Sequence, residues 1–369
     1  MAYLVPMPLP PLTGHLEIRH RLAKAVRGGS LPQVLLFTGP TGIGKQRLAL
    51  WLAQLIFCER GVEEPCGSCR ACHLVDGLSH ADLHWLVPIA RPKAGDPDKQ
   101  VDEAAEALAG IMEERRKQPL YTPADGMASH SIATVRLIQR RASLTSVEGG
   151  PRVFIIGEAD RLVPQESSPE AANAMLKLLE EPPPGSVFVL TTLDPRRVLP
   201  TIRSRAAPIR LNRLADDDVR SFLRQHAGPR WSSEKIEERV ALAGGSIGLA
   251  ISQGEETGKA YRSAEQLLEA VVEGRGPALE RALSQAAYSA RGEFAAMLDA
   301  LADTLGEAAR GTMGQPVRRA VPPPLLRHRS PAPLLQAMEK VAEAREAAAG
   351  NVNPQLLLAV LGEELAEVL

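Results

Sequence analysis

The sequence predicts an α/β nucleotide-binding core in about the first 212 residues and a helical region after them. Apolar runs at residues 35–37, 153–156 and 187–192 have the length and composition of buried parallel strands. Helical patterns alternate with these strands, which indicates a sheet with helices on both faces. From about residue 213 onwards apolar residues recur at helical spacing, so the rest of the chain is predicted to be all-helical.

Each element follows from a local pattern. In chain order we expect a helix at 14–31, a strand at 35–37, a helix carrying Leu48, Leu52 and Leu55, and further strands and helices at 83–87, 153–156, 170–180 and 187–192. Residues 88–128 are rich in proline and charge, so we expect a mobile insertion there, with a helix at 101–117. Residues 311–333 contain six prolines and four arginines, a composition typical of a linker, before a last pair of helices at 334–369.

Length and composition limit the classes of protein to consider. A chain of 369 residues suits two or three domains. Its net charge of −1 supplies no overall attraction to nucleic acid. No apolar run reaches membrane-spanning length, and the first twelve residues lack a basic leader. We therefore expect a cytoplasmic protein without a membrane partner.

Residues 39–46 fit the phosphate-binding loop pattern G-x-x-x-x-G-K-[S/T] at every defined position except the last. The expected nucleotide-binding residues are Gly39, Pro40, Thr41, Gly42, Ile43, Gly44, Lys45 and Gln46. In such a loop backbone N–H groups and the start of the next helix cradle phosphates, and the lysine adds positive charge. The alternative is a glycine-rich turn without a ligand.

The two groups that ordinarily hold Mg²⁺ beside such a loop are replaced. Gln46 stands where a Ser or Thr hydroxyl is usual, and Gly157 follows strand 153–156 where an Asp is usual. Glu158 is either the water-activating base or a solvated charge at a strand end, and Asp160 is expected to cap the next turn. We expect the Mg²⁺ site to be lost and the binding of ATP or ADP to be weak or absent.

All four cysteines fall within fifteen residues, at Cys58, Cys66, Cys69 and Cys72. Four thiolates at this spacing are typical of a closed, structural Zn²⁺ site. Residues 69–73 also match the attachment pattern of c-type haem, but that reaction needs export and leaves two cysteines unexplained. We predict zinc, with His73, His80 and His84 as packing or surface residues.

Residues 171–183, AANAMLKLLEEPP, resemble the clamp-loader branch of the AAA+ ATPases, which includes the gamma/tau and delta-prime subunits of bacterial DNA polymerase III. The position of the cysteine module after the helix of the loop is similar to that family. Further matches are Ser79–Leu83, Thr201–Ala206, which resembles the Ser-Arg-Cys motif with Ala206 for Cys, and Asn351–Pro354 before the last helix. The resemblance covers nearly the whole chain apart from 88–128.

The resemblance implies three domains. They are a RecA-like AAA+ core at 1–212, with the zinc module at 58–72 and the insertion at 88–128, a helical lid at 213–254, and a helical collar at 255–369 that joins subunits into a ring-like pentamer. The implied partners are gamma/tau and delta subunits, and through the complex the sliding clamp and primed DNA. The complex would be part of a DNA-directed DNA polymerase holoenzyme.

Within the family the motifs divide the subunits. Motor subunits keep the metal ligands and an arginine in the lid motif Gly-Ser-x-Arg, whereas residues 245–248 here read Gly-Ser-Ile-Gly. With Gln46 and Gly157, this third loss resembles the delta-prime branch, a stator that does not drive hydrolysis. Ser204 and Arg205 are retained, and the resemblance implies that the arginine acts on a neighbour's ATP. The alternative is an arginine in a surface ion pair.

Two other functions remain as alternatives. One is an active gamma/tau-type ATPase that tolerates Gln46. The other, of a different class, is a zinc-dependent nucleic-acid-binding module, which the neutral net charge disfavours.

Overall fold

The computed structural model describes residues 9–60, 63–120, 128–162, 170–226, 231–252, 255–285, 291–317, 321–348 and 352–369. The strands are β1 Val34–Thr38, β2 Leu83–Leu86, β3 Arg152–Ile156, β4 Ser186–Thr192 and β5 Ala207–Arg210. The helices are α1 Leu16–Arg27, α2 Lys45–Phe57, α3 Arg70–Asp76, α4 Pro97–Lys117, α5 Ile132–Ser143, α6 Glu170–Glu180, α7 Pro200–Arg203, α8 Asp216–His226, α9 Ser233–Ala243, α10 Ile247–Ser252, α11 Glu255–Glu273, α12 Arg275–Leu283, α13 Arg291–Thr312, α14 Ala332–Ala347 and α15 Pro354–Val368.

The five strands form one parallel sheet in the order β2-β3-β4-β1-β5. The three central strands are apolar and almost wholly buried, because helices cover both faces. The predicted α/β core is therefore confirmed. Strand β4 lies between β1 and β3, so the segments that follow β1 and β3 leave the same edge of the sheet with one strand between them. Ligands bind at such an edge in open α/β sheets.

The core has two layers, one on each face of the sheet. On one face Phe154 and Phe188 stack with ring centroids 4.8 Å apart, among side chains from α4, α5 and α6. On the other face Phe37 packs against α1 and α2. Both layers are continuous across neighbouring strands, which fixes the register of β1 on β4.

Residues 88–128 differ from the mobile insertion that we expected. The predicted helix is present and begins earlier, at Pro97, where Asp96 caps it by accepting hydrogen bonds from the N–H groups of Asp98 and Lys99. Its residues Val101, Ala104 and Leu108 are buried in the core beside α5. Proline stands at the start of this helix and charged residues lie on its outer face. A composition rich in proline and charge therefore did not indicate a mobile insertion here. Residues 121–127 lie outside the described part of the chain.

Two elements of the sheet layer have no counterpart in the sequence expectations. Strand β5 contains Pro208 and ends in Arg210, so it lacks an apolar run, but proline is tolerated because the strand is at the edge of the sheet. Helix α5 begins at a capping Ser131, which accepts a hydrogen bond from the N–H of Thr134. Strand β5 has no apolar run, whereas the buried residues Val135, Ile138 and Ala142 of α5 recur at helical spacing.

The chain divides into two compact units, Met1–Ile236 with Gly245–Ile251, and Glu237–Gly244 with Ser252–Leu369. In the second unit α11 packs against α13, α13 against α14, and α12 against α15 around an aliphatic core. Asn353 caps α15 by accepting from the N–H of Gln355 at 2.9 Å, and residue 351 of its motif lies outside the described residues. The predicted linker contains a short 3-10 helix at Pro323–Arg327, whose Leu325 is buried. Among the described residues, no helix combines the length and apolar character needed to cross a membrane.

Candidate functional site

The loop at residues 39–44 leaves the carboxyl end of β1 and leads directly into α2. Gly39, Gly42 and Gly44 have φ angles of 145°, 69° and 97°, in the region that favours glycine. A Cβ on Gly39 would lie 2.5 Å from the carbonyl oxygen of Leu211, and one on Gly42 would lie 2.5 Å from Oγ of Ser246. The glycines predicted from the motif are therefore required by the conformation and the packing of the loop.

Each carbonyl group of the loop from residue 39 to residue 43 accepts a hydrogen bond from elsewhere in the chain. The donors are Nζ of Lys45 to Gly39 and to Pro40, Oγ of Ser246 to Thr41, the backbone N–H of Gly248 to Gly42, and Nε2 of His15 to Ile43, at 2.7–2.8 Å. The donors come from three separate parts of the sequence. Hydrogen bonds from these parts of the first unit thus hold the loop in shape, and each of the five carbonyl groups already has a donor.

Lys45 is buried at the first position of α2. Burial lowers the pKa of its ammonium group to about 8, although the negative charges of Asp160 and Glu158 act in the opposite direction. Its two carbonyl acceptors lie within the loop itself. The ammonium group would have to exchange these carbonyls for phosphate oxygens in order to bind a nucleotide.

Gln46 and Gly157, the two positions at which metal ligands are usual, are in contact. A Cβ on Gly157 would lie 2.7 Å from Nε2, 2.8 Å from Cδ and 2.9 Å from Oε1 of Gln46. The carboxamide of Gln46 accepts a hydrogen bond of 2.9 Å from the indole N–H of Trp85 on β2. Because an indole N–H only donates, this bond fixes the orientation of the amide: Oε1 faces Trp85, and the NH₂ group is at the other end.

Gly157 is also held from its other side. Its N–H donates to the carbonyl oxygen of Leu86 at 2.8 Å, and its carbonyl oxygen accepts from Nε2 of His130 at 2.6 Å. His130 is fully buried, and burial lowers the pKa of its imidazole to about 4. Hydrogen bonds therefore hold the backbone at residue 157 through both its N–H and its carbonyl group.

Glu158 follows in the left-handed region, with φ of 54°. Its carboxylate forms an ion pair of 2.8 Å with Nε of Arg161, and its N–H donates to Oγ1 of Thr191. Burial raises the pKa of Glu158, with Arg161 acting against that rise. Glu158 is thus a half-buried, paired carboxylate, which differs from a solvated charge at a strand end.

Asp160 is buried in the short 3-10 helix Ala159–Leu162. Its Oδ1 accepts a hydrogen bond of 2.7 Å from Oγ1 of Thr192 at the end of β4. The carboxylate therefore ties the segment after β3 to the end of β4. The sequence predicted that Asp160 caps the following turn, and residues 163–169, which follow the 3-10 helix, lie outside the described part of the chain.

The four cysteines converge as predicted. Their Sγ atoms all lie within 4.8 Å of one another, and none forms a disulfide. Two of the Sγ pairs, Cys66 with Cys72 and Cys58 with Cys69, are 3.9 and 4.0 Å apart. Zinc–sulfur bonds of about 2.3 Å in a tetrahedron place sulfur atoms about 3.8 Å apart. The arrangement fits a metal ion with four thiolate ligands.

The hydrogen bonds around the sulfur atoms agree with thiolates. Backbone N–H groups of Cys66, Cys69 and Cys72 donate to Sγ of Cys58, Cys66 and Cys69 respectively, at 3.3–3.5 Å. Bonds from the backbone and hydroxyl of Ser68 lower the pKa of Cys66 to about 6, whereas burial raises that of Cys72. A cation bound among the four sulfur atoms would favour the thiolate form of each of them.

The nearby histidines have packing roles, as predicted. The His80 ring stacks on Phe57 at 3.9 Å, and the His84 ring lies 4.7 Å from that of Phe154. His73 is exposed on α3. Within the described residues, the metal-binding group consists of the four cysteines alone.

Arg205 follows α7 at the surface. Nη2 forms an ion pair of 2.6 Å with Oε1 of Glu180, the last residue of α6. Nη1 donates to the carbonyl oxygen of Thr201 at 2.8 Å and to Oγ of Ser204 at 3.4 Å. About one third of the arginine side chain is exposed, 35%, so the guanidinium remains accessible from outside.

Sequence reasoning missed several residues of the site. Trp85, Ser246 and His15 contact the loop or Gln46, and Glu180 contacts Arg205. Ser246 and Glu180 were inside recognised motifs but had no assigned role. For Trp85 and His15 the sequence carries no signal, because their contacts depend on how distant segments fold together.

The first 215 residues decide the family. A model described as "DNA polymerase III, delta subunit" matches residues 14–215, more than half of the chain. The chain belongs to this family. The match spans the loop, the cysteine module and the strands of the sheet, and it confirms the resemblance to the clamp-loader branch that residues 171–183 carry.

Three curated relatives show the range of similarity. The delta-prime subunit of DNA polymerase III from Bacillus subtilis is 31% identical over 193 residues, 51% of this chain and 46% of the relative. The delta-prime subunit from Pseudomonas aeruginosa is 29% identical over 212 residues, 57% and 52% of the two chains. The gamma/tau subunit from Mycobacterium tuberculosis is 29% identical over 196 residues, 53% and 27%. The matches span about half the length of the two delta-prime relatives, or less in the gamma/tau case.

Two solved structures are similar at low identity. A gamma subunit-related protein of DNA polymerase III from Thermotoga maritima has a TM-score of 0.34 and 15% identity, with 96% of this chain and 100% of that chain covered. The Orc1 protein of Aeropyrum pernix in complex with DNA has a TM-score of 0.40 and 16% identity, with 92% and 86% covered.

Proposed function

We propose that this chain is a delta-prime-type subunit of the clamp loader of DNA polymerase III. It acts as a stator, assembles in the cytoplasm with gamma/tau and delta subunits, and helps to load the sliding clamp on primed DNA. Its own loop does not hydrolyse ATP, and Arg205 acts on the ATP of a neighbouring subunit. Family membership supports the first part, and the geometry at residues 46 and 157 supports the second.

The contact between Gln46 and Gly157 is the observation that carries the proposal. Nucleotide hydrolysis at a phosphate loop depends on Mg²⁺, held in part by a hydroxyl at the end of the loop and a carboxylate after the adjoining strand. Here the residue at the hydroxyl position is Gln46, and its carboxamide stands within 3 Å of where a Cβ at residue 157 would lie. Its oxygen is engaged by Trp85, and its free end is a hydrogen-bond donor, which does not ligate a cation.

The surroundings of Arg205 support action on a neighbour. The contacts with Glu180, Thr201 and Ser204 use three of the five N–H groups of the guanidinium, so the remaining ones can donate to a phosphate while the ion pair is kept. An arginine supplied by one subunit to another's nucleotide raises the rate of phosphoryl transfer about 10³- to 10⁵-fold in other systems. Because residues 46 and 157 of its own site are not the usual metal ligands, action of Arg205 on a neighbour's nucleotide is the catalytic contribution that we propose for this chain.

ATP turnover tests both parts. The purified chain should show no turnover above that of Lys45→Ala, and a loader reconstituted with Arg205→Ala should assemble but hydrolyse ATP more slowly. Arg203→Ala is the matched control, because Arg203 is an exposed arginine of the same segment. Turnover by the isolated chain that Lys45→Ala abolishes would favour the alternative, an active gamma/tau-type ATPase.

The cysteine site is proposed to hold a structural Zn²⁺. Four protein ligands leave no open position for a substrate, and the site lies between α2 and α3, at the surface of the core. A direct role in binding nucleic acid would require salt-sensitive DNA affinity of the isolated chain that Cys69→Ser removes without unfolding it.

A further inference from the structure

We infer that Glu180 is the residue that positions Arg205 for its action on a neighbour's nucleotide. The inference rests on the proposed function, and it adds a residue to which neither the family motif nor the loop assigns a role. Glu180 does not touch the nucleotide. It acts by holding the guanidinium in one orientation at the surface.

Three acceptors hold the guanidinium, and they lie at the end of α6, on α7 and on the residue after α7. The carboxylate of Glu180 forms an ion pair with Nη2 at 2.6 Å. The carbonyl oxygen of Thr201 and Oγ of Ser204 accept hydrogen bonds from Nη1. Ser204 is itself fixed, because its hydroxyl donates to the carbonyl oxygen of Thr201 at 3.0 Å. Both terminal nitrogens are therefore oriented before any partner approaches.

Of these three contacts, Glu180 supplies the only charge. The two other acceptors lie on α7 and the residue after it, in the same short segment as Arg205, whereas Glu180 belongs to α6. The ion pair thus fixes the guanidinium relative to a second element of the core. Without it, the flexible side chain would keep only contacts that move together with its own segment.

The location of Glu180 is itself unfavourable for α6. The negative end of a helix dipole lies at the C-terminus, where carboxylates are destabilising. Pro182, Pro183 and Pro184 follow one residue later, so the helix cannot continue past this point. The guanidinium of Arg205 offsets this cost, so the pairing accounts for an acidic residue that the helix alone disfavours.

Glu181 offers a matched control. It is also acidic and exposed and directly follows α6, but the described residues give it no ion pair with Arg205. Removal of either carboxylate makes the same change in net charge and relieves the same helix dipole. Only removal of Glu180 frees the guanidinium.

The experiment is steady-state ATP hydrolysis by the loader, reconstituted with its clamp and primed DNA, with Glu180→Ala, Glu180→Asp, Glu181→Ala and Arg205→Ala. We expect Glu180→Ala to lower kcat about twofold to fivefold with KM for ATP within about twofold, since an exposed ion pair sets the scale. Glu180→Asp should recover at least half of the rate, and Glu181→Ala should match the wild type. Native mass and the melting temperature of each complex check that assembly is unchanged.

The double variant Glu180→Ala with Arg205→Ala separates positioning from other effects. If Glu180 acts through Arg205, the double variant is no slower than Arg205→Ala alone. Additive losses, a wild-type rate for Glu180→Ala, or a faster rate would each overturn the inference. If Arg205→Ala also leaves the rate unchanged, the proposed action in trans fails as well, so the two failures are distinguishable.

Discussion

The carboxamide of Gln46 occupies the space that a side chain on residue 157 would need. The three terminal heavy atoms of Gln46 would all lie within 2.7–2.9 Å of a Cβ at Gly157. Contacts this close do not occur in folded proteins. Residue 157 therefore has no room for a side chain while the Gln46 carboxamide keeps its bond to Trp85. The two departures from the metal-binding pattern are therefore in direct contact.

Gly157→Ala tests this exclusion with a single methyl group. The new Cβ must push the Gln46 amide away from Trp85, which leaves a partly buried hydrogen bond unmade, and we expect a loss of about 1–3 kcal/mol in the free energy of unfolding. In the background of Gln46→Ala the same substitution should cost at least 1 kcal/mol less, about the value of that bond. Urea denaturation of the four proteins measures the coupling. Equal costs in both backgrounds would contradict a steric link.

Restoring both metal ligands should restore a metal requirement. Gln46→Thr with Gly157→Asp supplies a hydroxyl and a carboxylate where Mg²⁺ is ordinarily held. We expect the double variant to bind ATP at least about tenfold more tightly with Mg²⁺ than with a chelator, a difference of about 1.4 kcal/mol. Calorimetric titration measures it. The wild type and both single variants serve as controls, and Mg²⁺-dependent binding by the wild type would be the contrary result.

Zinc should be present at about one equivalent and should stabilise the first unit. A ligand at about 1,000 times its dissociation constant stabilises a protein by about 4 kcal/mol, which sets the scale of the loss on chelation. Cys66→Ser should lower both the zinc content and the melting temperature. His73→Ala removes an exposed residue beside the site and should retain the metal. Elemental analysis that finds zinc in Cys66→Ser at the wild-type level would argue against four thiolate ligands.

His130 should make stability depend on pH below neutrality. Its pKa is lowered from 6.5 to about 4 by burial, so the unfolded chain binds a proton between these values and the folded chain does not. Its contribution is therefore present above pH 6.5 and is lost as pH falls towards 4, by about 3 kcal/mol. His130→Gln keeps a donor for the carbonyl group of Gly157 but cannot titrate. Denaturation at several pH values should show a shallower decline for this variant, and parallel curves would refute the assignment.

The regular core was predictable because its signals are local. Continuous apolar runs predicted β1, β3 and β4, and cysteine spacing predicted which thiols converge. Strand β5 was not predictable in the same way, because an edge strand with Pro208 needs no apolar run. The core position of α4 was missed because its apolar face is narrow and its ends are rich in charge.

The site shows the same division between local and distant signals. Glycines 39, 42 and 44 are visible in the sequence because the loop conformation demands them. The fit between Gln46 and Gly157 is not visible, since it joins α2 to the end of β3 across 111 positions of sequence and depends on side-chain geometry. The sequence pattern showed that the two usual ligands were replaced. Only the structure shows that the side chain of Gln46 lies in the space of a side chain at residue 157.

The hydrogen bond from Ser246 to the carbonyl oxygen of Thr41 has a consequence for the order of folding. The two residues are 205 positions apart. At about 5–20 residues per second, Thr41 is synthesised roughly 10 to 40 seconds before Ser246. The strands that flank the loop can pair within that time, because β4 and β5 precede residue 246. The phosphate loop therefore completes its set of hydrogen bonds late, after the sheet that supports it.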